Sequence, residues 1–287
     1  MSPIGILLIN KPKNLTSHDV VDEVRRALHT RRVGHTGTLD PISEGLLVIA
    51  VGYATRFIRY LPVDPKEYIG TMTLGAITNT QDAEGEIIEK RNYDFVTLEM
   101  IREAAKSFLG DISQIPPMYS AVKFKGTPLF KLARKGEEVQ RKPKKITIYH
   151  FEINDYNPPV ASFRVVCSKG TYVRTLCHDL GLKLSCGAYL SALTRTRMGE
   201  FTLDKACQLD EISVEKLIPL EEALAPMPMI KLTRHQIIQA RNGQPLRIPL
   251  FPNRTTIGLL DENNHLFAIA RQRDSIWHPE CVIPPNP

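Results

Sequence analysis

The sequence predicts an α/β (α+β) protein, with one large domain that mixes strands and helices, followed by a small β-rich module. Over the first part of the chain, short apolar runs typical of strands are interspersed with stretches of helical period. After about Pro226 the pattern changes, because prolines break the chain into short segments. With 287 residues, the chain is long enough to bury a core in each part. We therefore predict a domain of residues 1–228 and a module of residues 229–287.

The first predicted elements surround a loop rich in glycine. Residues 4–9 are a short apolar run that ends in Asn-Lys-Pro-Lys, which predicts a strand entering a turn. Thr16 or Ser17 then caps a predicted helix whose apolar positions recur at helical spacing. After the loop, residues 46–51 predict a buried strand and residues 54–61 a short helix.

The rest of the chain continues to mix the two kinds of element. They are predicted in the order strand 68–74, polar turn 79–86, helix 98–109, strand 144–153, strand 161–167, and a helix that follows the turn 168–171 and runs to about Leu184. In the module, residues 256–260 and 266–270 flank a polar turn, and this spacing predicts a β-hairpin.

Composition is ordinary for a soluble globular protein, and we expect the chain to be cytoplasmic. Hydrophobic residues make up 43% of the chain and charged residues 24%, and no apolar run is long enough to span a bilayer. The start of the chain lacks the basic and apolar regions of a secretory signal. Five cysteines with no C-x-x-C pair predict reduced thiols rather than a disulfide framework, and no Cys and His spacing predicts a metal site.

Positive charge is concentrated in one segment, residues 123–145. This segment has nine basic and two acidic residues, a net charge of +7, whereas the whole chain has +6. A local basic stripe in a near-neutral body is typical of proteins that bind nucleic acid. A solvated, flexible surface loop would show the same composition, so both interpretations stay open from charge alone.

The loop Gly34-His35-Thr36-Gly37-Thr38-Leu39-Asp40-Pro41 has the most distinctive local pattern. Its glycines permit tight bends and Pro41 restricts the residue before it, so the loop can present the carboxylate of Asp40. The loop has neither the Walker A nor the G-x-G-x-x-G spacing. From local chemistry, Asp40 is either a catalytic carboxylate or a turn former, and His35 either a functional imidazole or one bonded to backbone.

Two further residues are candidates for the same site. Arg174 stands in the first turn of the predicted helix after residues 168–171, where a cation is mildly disfavoured, and this indicates a carboxylate partner. An ordinary surface ion pair would also explain it. Tyr68 starts a strand, and its ring could pack in the sheet or stack on a nucleobase.

Taken together, four motifs in order resemble the TruB family of tRNA pseudouridine-55 synthases. They are Gly34–Pro41, Lys66-Glu67-Tyr68, Ile115-Pro116-Pro117-Met118-Tyr119-Ser120-Ala121-Val122-Lys123, and Ser168-Lys169-Gly170-Thr171-Tyr172-Val173-Arg174. The opening segment from Gly5 to Pro12 fits as well. The resemblance spans roughly residues 5–200.

The resemblance implies a fold, a reaction and a set of residues. The fold would be the pseudouridine synthase fold, with a mixed, largely antiparallel sheet, and the tail would be a small, divergent PUA-like RNA-binding domain. The enzyme would isomerise a uridine to pseudouridine in the T loop of tRNA, at position 55, by flipping the base and without cofactor or metal. Asp40 matches the family's catalytic aspartate. Whether it attacks C1′, attacks C6 of uracil or abstracts the 2′ proton stays open.

The other site residues follow from the same resemblance. Arg174 matches the arginine that pairs with the aspartate and orients it by charge-assisted hydrogen bonds. Tyr68 matches the tyrosine that stacks on the target base, and Leu193 the apolar residue that lines the uracil pocket. His35 matches a histidine that fills the space left by the flipped nucleotide. The residues expected to bind RNA are His35, Lys11, Lys123, Arg134, Lys142, Lys144 and Lys145.

The expected partner is the T stem-loop of tRNA, bound by a monomer that needs no membrane. Two alternatives of other kinds remain. The same family includes RNA-guided rRNA pseudouridine synthase subunits, which normally carry extensions that this compact chain lacks. The chain could also be a tRNA-folding chaperone with little catalytic role. A metal-dependent hydrolase using Asp40 is a more distant possibility.

Overall fold

The computed structural model describes residues 3–285, so the outermost ends of the two predicted domains, residues 1–2 and 286–287, lie outside the described residues. The strands are β1 Gly5–Lys11, β2 Val33–His35, β3 Ser43–Val51, β4 Lys66–Leu74, β5 Ala76–Thr78, β6 Ile87–Lys90, β7 Gly110–Gln114, β8 Lys123–Phe124, β9 Thr127–Pro128, β10 Lys144–Asn157, β11 Val160–Cys167, β12 Ala188–Met198, β13 Phe201–Thr202, β14 Met229–Lys231, β15 Thr256–Leu260, β16 Leu266–Arg273 and β17 Ile276–Val282. The α-helices are α1 Ser17–Ala27, α2 Leu98–Lys106, α3 Leu129–Ala133, α4 Val173–Lys183, α5 Leu220–Ala223 and α6 Arg234–Arg241.

One long sheet organises the larger part of the protein. Its strand order is β1-β3-β12-β4-β11-β10-β7, with β2 paired to β3 and β13 to β12. The pair β3/β12 is parallel, while the other pairs along this order are antiparallel. The predicted mixed, largely antiparallel sheet is therefore confirmed, and β12 and β4 lie next to each other at its centre.

Most predicted elements agree with the structure to within a few residues. The predicted helix at 54–61 is a 3-10 helix spanning Gly52–Tyr60, and Thr16 caps α1 through a reciprocal pair of hydrogen bonds with Asp19. Sequence analysis did not predict β12, the central strand. Register shifts against β4, between Leu190 and Ala192 and between Arg195 and Arg197, interrupt the alternation of buried and exposed residues that identifies a strand.

The two faces of the long sheet are covered by different layers. Helices α2 and α4 pack on one face, over a core that includes Phe163 of β11 and Leu190 of β12. Helix α1 packs beside them on the same face, over odd-numbered residues such as Leu7 of β1 and Leu47 of β3, which project to the same side as Leu193. The opposite face of β1 and β3 is covered by the 3-10 helix Gly52–Tyr60 and the C-terminal module. Sheet strands covered on both faces are fully buried, which explains the continuous apolar run of β3.

The C-terminal module is a four-stranded sheet in the order β14-β15-β16-β17, and the hairpin predicted within it is confirmed as β15 and β16. Its own core surrounds the fully buried Trp277. Ile269 and Cys281 of the module also belong to a core shared with Ile6 and Phe57 of the larger domain, so the two parts are joined by apolar packing. Within residues 3–285, no helix has the length and apolar character needed to cross a membrane.

Candidate active site

The glycine-rich loop connects β2 to β3 and is fixed by bonds to α1. The Ser17 hydroxyl at the start of α1 accepts a hydrogen bond from the Leu39 N–H (2.8 Å) and donates one to the Leu39 carbonyl (3.0 Å). The Asp40 carbonyl accepts from the Ser43 N–H at 3.0 Å. The backbone on both sides of Asp40 is thus anchored, and its side chain is held at the mouth of a cavity.

The carboxylate of Asp40 is paired with Arg174, as the sequence predicted. The distance between Arg174 Nε and Asp40 Oδ2 is 3.0 Å. The Arg174 side chain is 6% exposed, whereas that of Asp40 is 40% exposed. A buried guanidinium therefore orients a carboxylate that remains accessible to a ligand.

Asp82 is a buried neighbour of Arg174 that sequence analysis did not select. It is buried in the loop after β5, and its Oδ2 lies 3.1 Å from Nη1 of Arg174. Arg174 also donates to the carbonyls of Thr80 (3.0 Å) and Tyr119 (2.9 Å). Two carboxylates and two carbonyls thus fix one guanidinium, which is the condition under which a charge can be buried. Asp82 stood in a polar turn with no pattern of its own, so only its contact with Arg174 identifies it.

The predicted residues Asp40, Tyr68, Arg174 and Leu193 line one cavity of about 230 Å³. Tyr68 comes from β4 and Leu193 from the neighbouring strand β12, and both are buried. The cavity is smaller than the roughly 300–1,000 Å³ typical of pockets for drug-sized ligands. Its size and its aromatic and aliphatic lining suit one planar ring, with a carboxylate at the edge.

Arg195 of β12 supports the loop from behind and was also missed. Its side chain is fully buried and donates to the carbonyls of Gly37 (3.1 Å), Thr38 (3.3 Å) and Leu46 (2.8 Å). The strand register pairs Arg195 with Tyr68. One buried arginine therefore holds the backbone of the glycine-rich loop beside the tyrosine that lines the cavity.

A second cavity of about 420 Å³ lies on the other side of the same ion pair. Asp40 and Arg174 line it together with His35 and Arg134, two of the residues expected to bind RNA. Burial lowers the pKa of His35, with the charge of Arg195 acting in the same direction, so its imidazole is neutral at pH 7. Asp40 thus lines both cavities, the first with Tyr68 and Leu193 and the second with His35 and Arg134.

The other residues expected to bind RNA are divided between surface and interior. Lys123, Lys142, Lys144 and Lys145 are exposed. Lys11 is buried, and its ammonium donates to the carbonyls of Pro12 and Leu15, each at 2.8 Å. Lys11 therefore has a structural role in closing the turn after β1, and an RNA contact of Lys11 stays a prediction.

The protonation states in and near the first cavity follow from burial. Burial raises the pKa of Tyr68, with the charge of Arg195 opposing the shift, so the hydroxyl keeps its proton at neutral pH. Among residues 3–285, no group of three His, Cys, Asp or Glu side chains is placed to hold a metal ion. The five cysteines are buried free thiols.

The long sheet with its central cavity defines the pseudouridine synthase fold, and solved structures share it. A chain from the crystal structure of a Cbf5-Nop10-Gar1 complex superposes with a TM-score of 0.69, over 93% of this chain and 78% of that chain, at 26% sequence identity. A chain from the archaeal box H/ACA sRNP Nop10-Cbf5 complex gives a TM-score of 0.73 over 99% of this chain and 88% of that chain, at 24% identity.

Sequence relatives identify the family. The N-terminal domain of the TruB family pseudouridylate synthases matches residues 25–173, and the tRNA pseudouridylate synthase B C-terminal domain matches residues 174–230. Proteins named tRNA pseudouridine synthase B are similar over most of their length. The one from Dehalococcoides mccartyi is 41% identical over 97% of this chain and 96% of its own, and the one from Opitutus terrae 48% identical over 78% and 92%. The chain belongs to the TruB family of pseudouridylate synthases, as its motifs predicted.

Proposed function

We propose that this chain, acting in the cytoplasm as a monomer, isomerises the uridine at position 55 in the T loop of tRNA to pseudouridine. The observation that carries the proposal is the first cavity, where a carboxylate oriented by a buried arginine meets an aromatic and aliphatic lining of nucleobase size. The curated relatives with 41–48% identity, all named tRNA pseudouridine synthase B, support tRNA as the substrate.

The reaction requires the C1′–N1 bond of uridine to break and a C1′–C5 bond to form, with loss of the C5 proton and gain of a proton at N1. Asp40 is the only carboxylic acid among the described residues that line the first cavity. It is therefore the group that acts on the nucleoside, whether as a nucleophile or as a base. Arg174 keeps the carboxylate of Asp40 in a fixed direction, which reduces the reorganisation needed to reach the transition state.

Access to the cavity requires the uridine to leave its stack. Flipping a base costs a few kcal/mol, and stacking on an aromatic ring with phosphate contacts offsets that cost. Tyr68 and Leu193 provide apolar contact for the base. The second cavity, lined by His35 and Arg134, provides space beside Asp40 for nucleotides next to the target. The exposed lysines of the segment 123–145 would neutralise phosphates of the T stem.

The substrate class separates this proposal from the RNA-guided alternative. The chains from the Cbf5-Nop10-Gar1 complex and the box H/ACA Nop10-Cbf5 complex share the fold at 26% and 24% identity, whereas the relatives named tRNA pseudouridine synthase B are 41–48% identical. A stand-alone tRNA enzyme should act on a free T-arm stem-loop without a guide RNA. A tRNA-folding chaperone would bind the same RNA without changing it.

Asp40→Asn tests the proposal. Purified protein is incubated with a T-arm stem-loop transcript, and pseudouridine is mapped by mass spectrometry after nuclease digestion. The wild type should modify one uridine, and Asp40→Asn should form none while its RNA affinity stays within a few fold. Asp155→Asn, which removes an exposed carboxylate from β10, is the matched control and should remain active. An active Asp40→Asn variant would show that another group performs the chemistry.

A further inference from the structure

Lys66 lies inside the first cavity, and neither the fold nor the reaction as described assigns it a role. It stands on β4 two residues before Tyr68, so both side chains project from the same face of the strand. Lys66 lines the cavity together with Tyr68, Asp40 and Leu193. Its side chain is half-buried, unlike the exposed lysines of the segment 123–145.

The ammonium of Lys66 adjoins a second cation and forms no ion pair with an acid among the described residues. A methyl group added to Gly37 would lie 2.8 Å from Nζ of Lys66 and 3.8 Å from Nη1 of Arg195, so the two charged groups adjoin the same point. Lys144 Nζ packs against Gly170, which lines the same cavity. Over residues 3–285, no side-chain hydrogen bond or ion pair of Lys66 Nζ is formed.

A partly buried cation without a counterion is costly and indicates a site for negative charge. Burial, with the charges of Arg195 and Lys144 in the same direction, lowers the pKa of Lys66 to about 8. Asp64 and Cys167 oppose the shift, but burial also raises the pKa of the Cys167 thiol to about 11, so that thiol is neutral at pH 8. The ammonium of Lys66 is thus charged at pH 7, and an anion bound beside it would stabilise that charge.

The proposed reaction supplies such an anion. When the C1′–N1 bond breaks, its electron pair stays on uracil, and the negative charge spreads from N1 to the carbonyl oxygens of the base. The same charge develops on uracil whether Asp40 attacks C1′, attacks C6 or removes the 2′ proton. It persists until C5 bonds to C1′, and the neutral product then loses its C5 proton and gains a proton at N1. Stabilising this charge in a closed cavity would lower the barrier.

We propose that Lys66 is a further catalytic residue whose ammonium stabilises the negative charge on the detached uracil. Lys66 keeps its proton throughout, and Asp40 remains the group that acts on the ribose or the ring. This inference rests on the proposed function. It differs from a phosphate contact, because Lys66 is placed among the residues that enclose the base rather than on the exposed basic segment.

Lys66→Met, which keeps the length of the side chain and removes its charge, is the main test. With a T-arm stem-loop at saturation, the single-turnover rate should fall by about 10²–10³-fold, the loss typical when one charge-stabilising donor is removed. The dissociation constant should change by less than about threefold, which is small on the scale of one charged contact. The urea unfolding midpoint should not fall, because the variant removes a partly buried charge without a partner.

Lys66→Arg and Lys183→Met complete the test. The single-turnover rate of Lys66→Arg should be at least about tenfold higher than that of Lys66→Met, because arginine restores the cation. Lys183, exposed in the last turn of α4, is the matched control, and its methionine variant should behave as wild type. In the wild type, kcat/KM should fall as pH rises through about 8, and in Lys66→Arg this decrease should move to higher pH. The pH profile of Lys66→Arg must be compared with that of the wild type because the pKa of Lys11 is also lowered to about 8, mainly by burial. A decrease near pH 8 in the wild type alone would not show which lysine is titrating.

The outcomes separate the two proposals. A Lys66→Met variant with the wild-type rate, or with weaker binding and an unchanged rate at saturation, would overturn the role of Lys66, the second result identifying a phosphate contact. A pH profile that is the same in wild type and Lys66→Arg would also overturn it. If Asp40→Asn forms pseudouridine, the proposed function itself fails, whatever Lys66→Met does.

Discussion

Asp82→Asn should slow pseudouridine formation although Asp82 does not line the first cavity. Asp82 and Asp40 bind different nitrogens of Arg174, at 3.1 Å and 3.0 Å. Loss of the Asp82 charge leaves Asp40 as the only carboxylate on the guanidinium. The guanidinium is then free to tilt, and the direction of the Asp40 carboxylate becomes less well defined.

The magnitude follows from what the substitution removes and what it leaves. Asp82 and Arg174 are both buried, with side chains 3% and 6% exposed, so their bond is little screened by solvent. A hydrogen bond to a charged group contributes roughly 1.5–3 kcal/mol. The carbonyls of Thr80 and Tyr119 still bind Arg174, so the loss should stay below the 3–5 kcal/mol typical of breaking an isolated buried pair. We expect a loss in unfolding free energy of about 2 kcal/mol.

The effect on catalysis should be larger than this loss of stability alone would cause. Misplacing a catalytic group by about 1 Å can cost on the order of 10²-fold in rate. We therefore expect the single-turnover rate on a T-arm stem-loop to fall by about 10–10²-fold at a temperature where the variant is fully folded, with RNA affinity unchanged.

Two controls decide the interpretation. Urea unfolding gives the stability, and circular dichroism confirms that the variant is folded at the assay temperature. The combination of Asp82→Asn with Arg174→Lys should lose much less than the sum of the two single losses, because both act through one contact. A rate within twofold of wild type for Asp82→Asn, or fully additive losses, would refute the idea that Asp82 orients Arg174.

The remaining predictions concern RNA binding, the loop and pH. Replacing Lys142, Lys144 and Lys145 by alanine should weaken RNA binding and reduce the slope of log K against log salt by up to about 2–3, since each phosphate contact contributes 0.7–0.9. Arg195→Met removes the side-chain donor from one buried and two partly buried carbonyls and should lower the unfolding free energy by about 3 kcal/mol, measured by urea unfolding. Burial raises the pKa of Asp179 from 3.8 to about 6, so its ionised form destabilises the folded state at pH 7. Asp179→Asn should therefore increase stability by roughly 1–2 kcal/mol at pH 7, and the gain should vanish as pH falls through 6 towards 4.

Each of these predictions has a matched control or a contradicting outcome. Alanines at Lys183, Lys205 and Lys216, all exposed and outside the basic segment, remove the same charge and should leave the salt slope nearly unchanged. An equal effect of the two triple variants would show that only total charge matters. For Arg195, wild-type stability would mean that water satisfies the three carbonyls. A gain from Asp179→Asn that is independent of pH would show that the effect is not one of ionisation.

The sequence was sufficient to predict local elements but not the order of the sheet. Thr16 with Asp19, and the polar turn between β15 and β16, are signals that act within a few residues, and both were read correctly. The parallel pairing of β12 with β3 joins residues about 150 positions apart and leaves no local pattern. β12 itself was missed because its buried Arg195 breaks the apolar alternation that identifies a strand.

In the candidate site, too, local motifs could be predicted from the sequence, whereas contacts between distant residues could not. Asp40, Tyr68, Arg174 and Leu193 were selected because their motifs resemble those of a known family, and the structure brings all four to one cavity. Asp82 could not be found in this way, since an aspartate in a polar turn has many ordinary explanations. Its function depends on a contact with Arg174 that spans 92 residues. Only the fold converts these separate residues into one network.

Charge in the first cavity is distributed in the direction that cleavage of a glycosidic bond requires. Breaking C1′–N1 leaves electron deficiency on the ribose and negative charge on uracil. Asp40 supplies a carboxylate at the edge of the cavity, while Lys66 and Arg195 place positive charge beside the part that encloses the base. The carboxylate of Asp40 is paired with Arg174, and no ion pair joins it to Lys66. If the two proposals hold, Asp40→Asn should abolish the chemical step and Lys66→Met should slow it. Neither variant should bind RNA much more weakly, because each charge acts on the separated ribose and uracil rather than on the bound substrate.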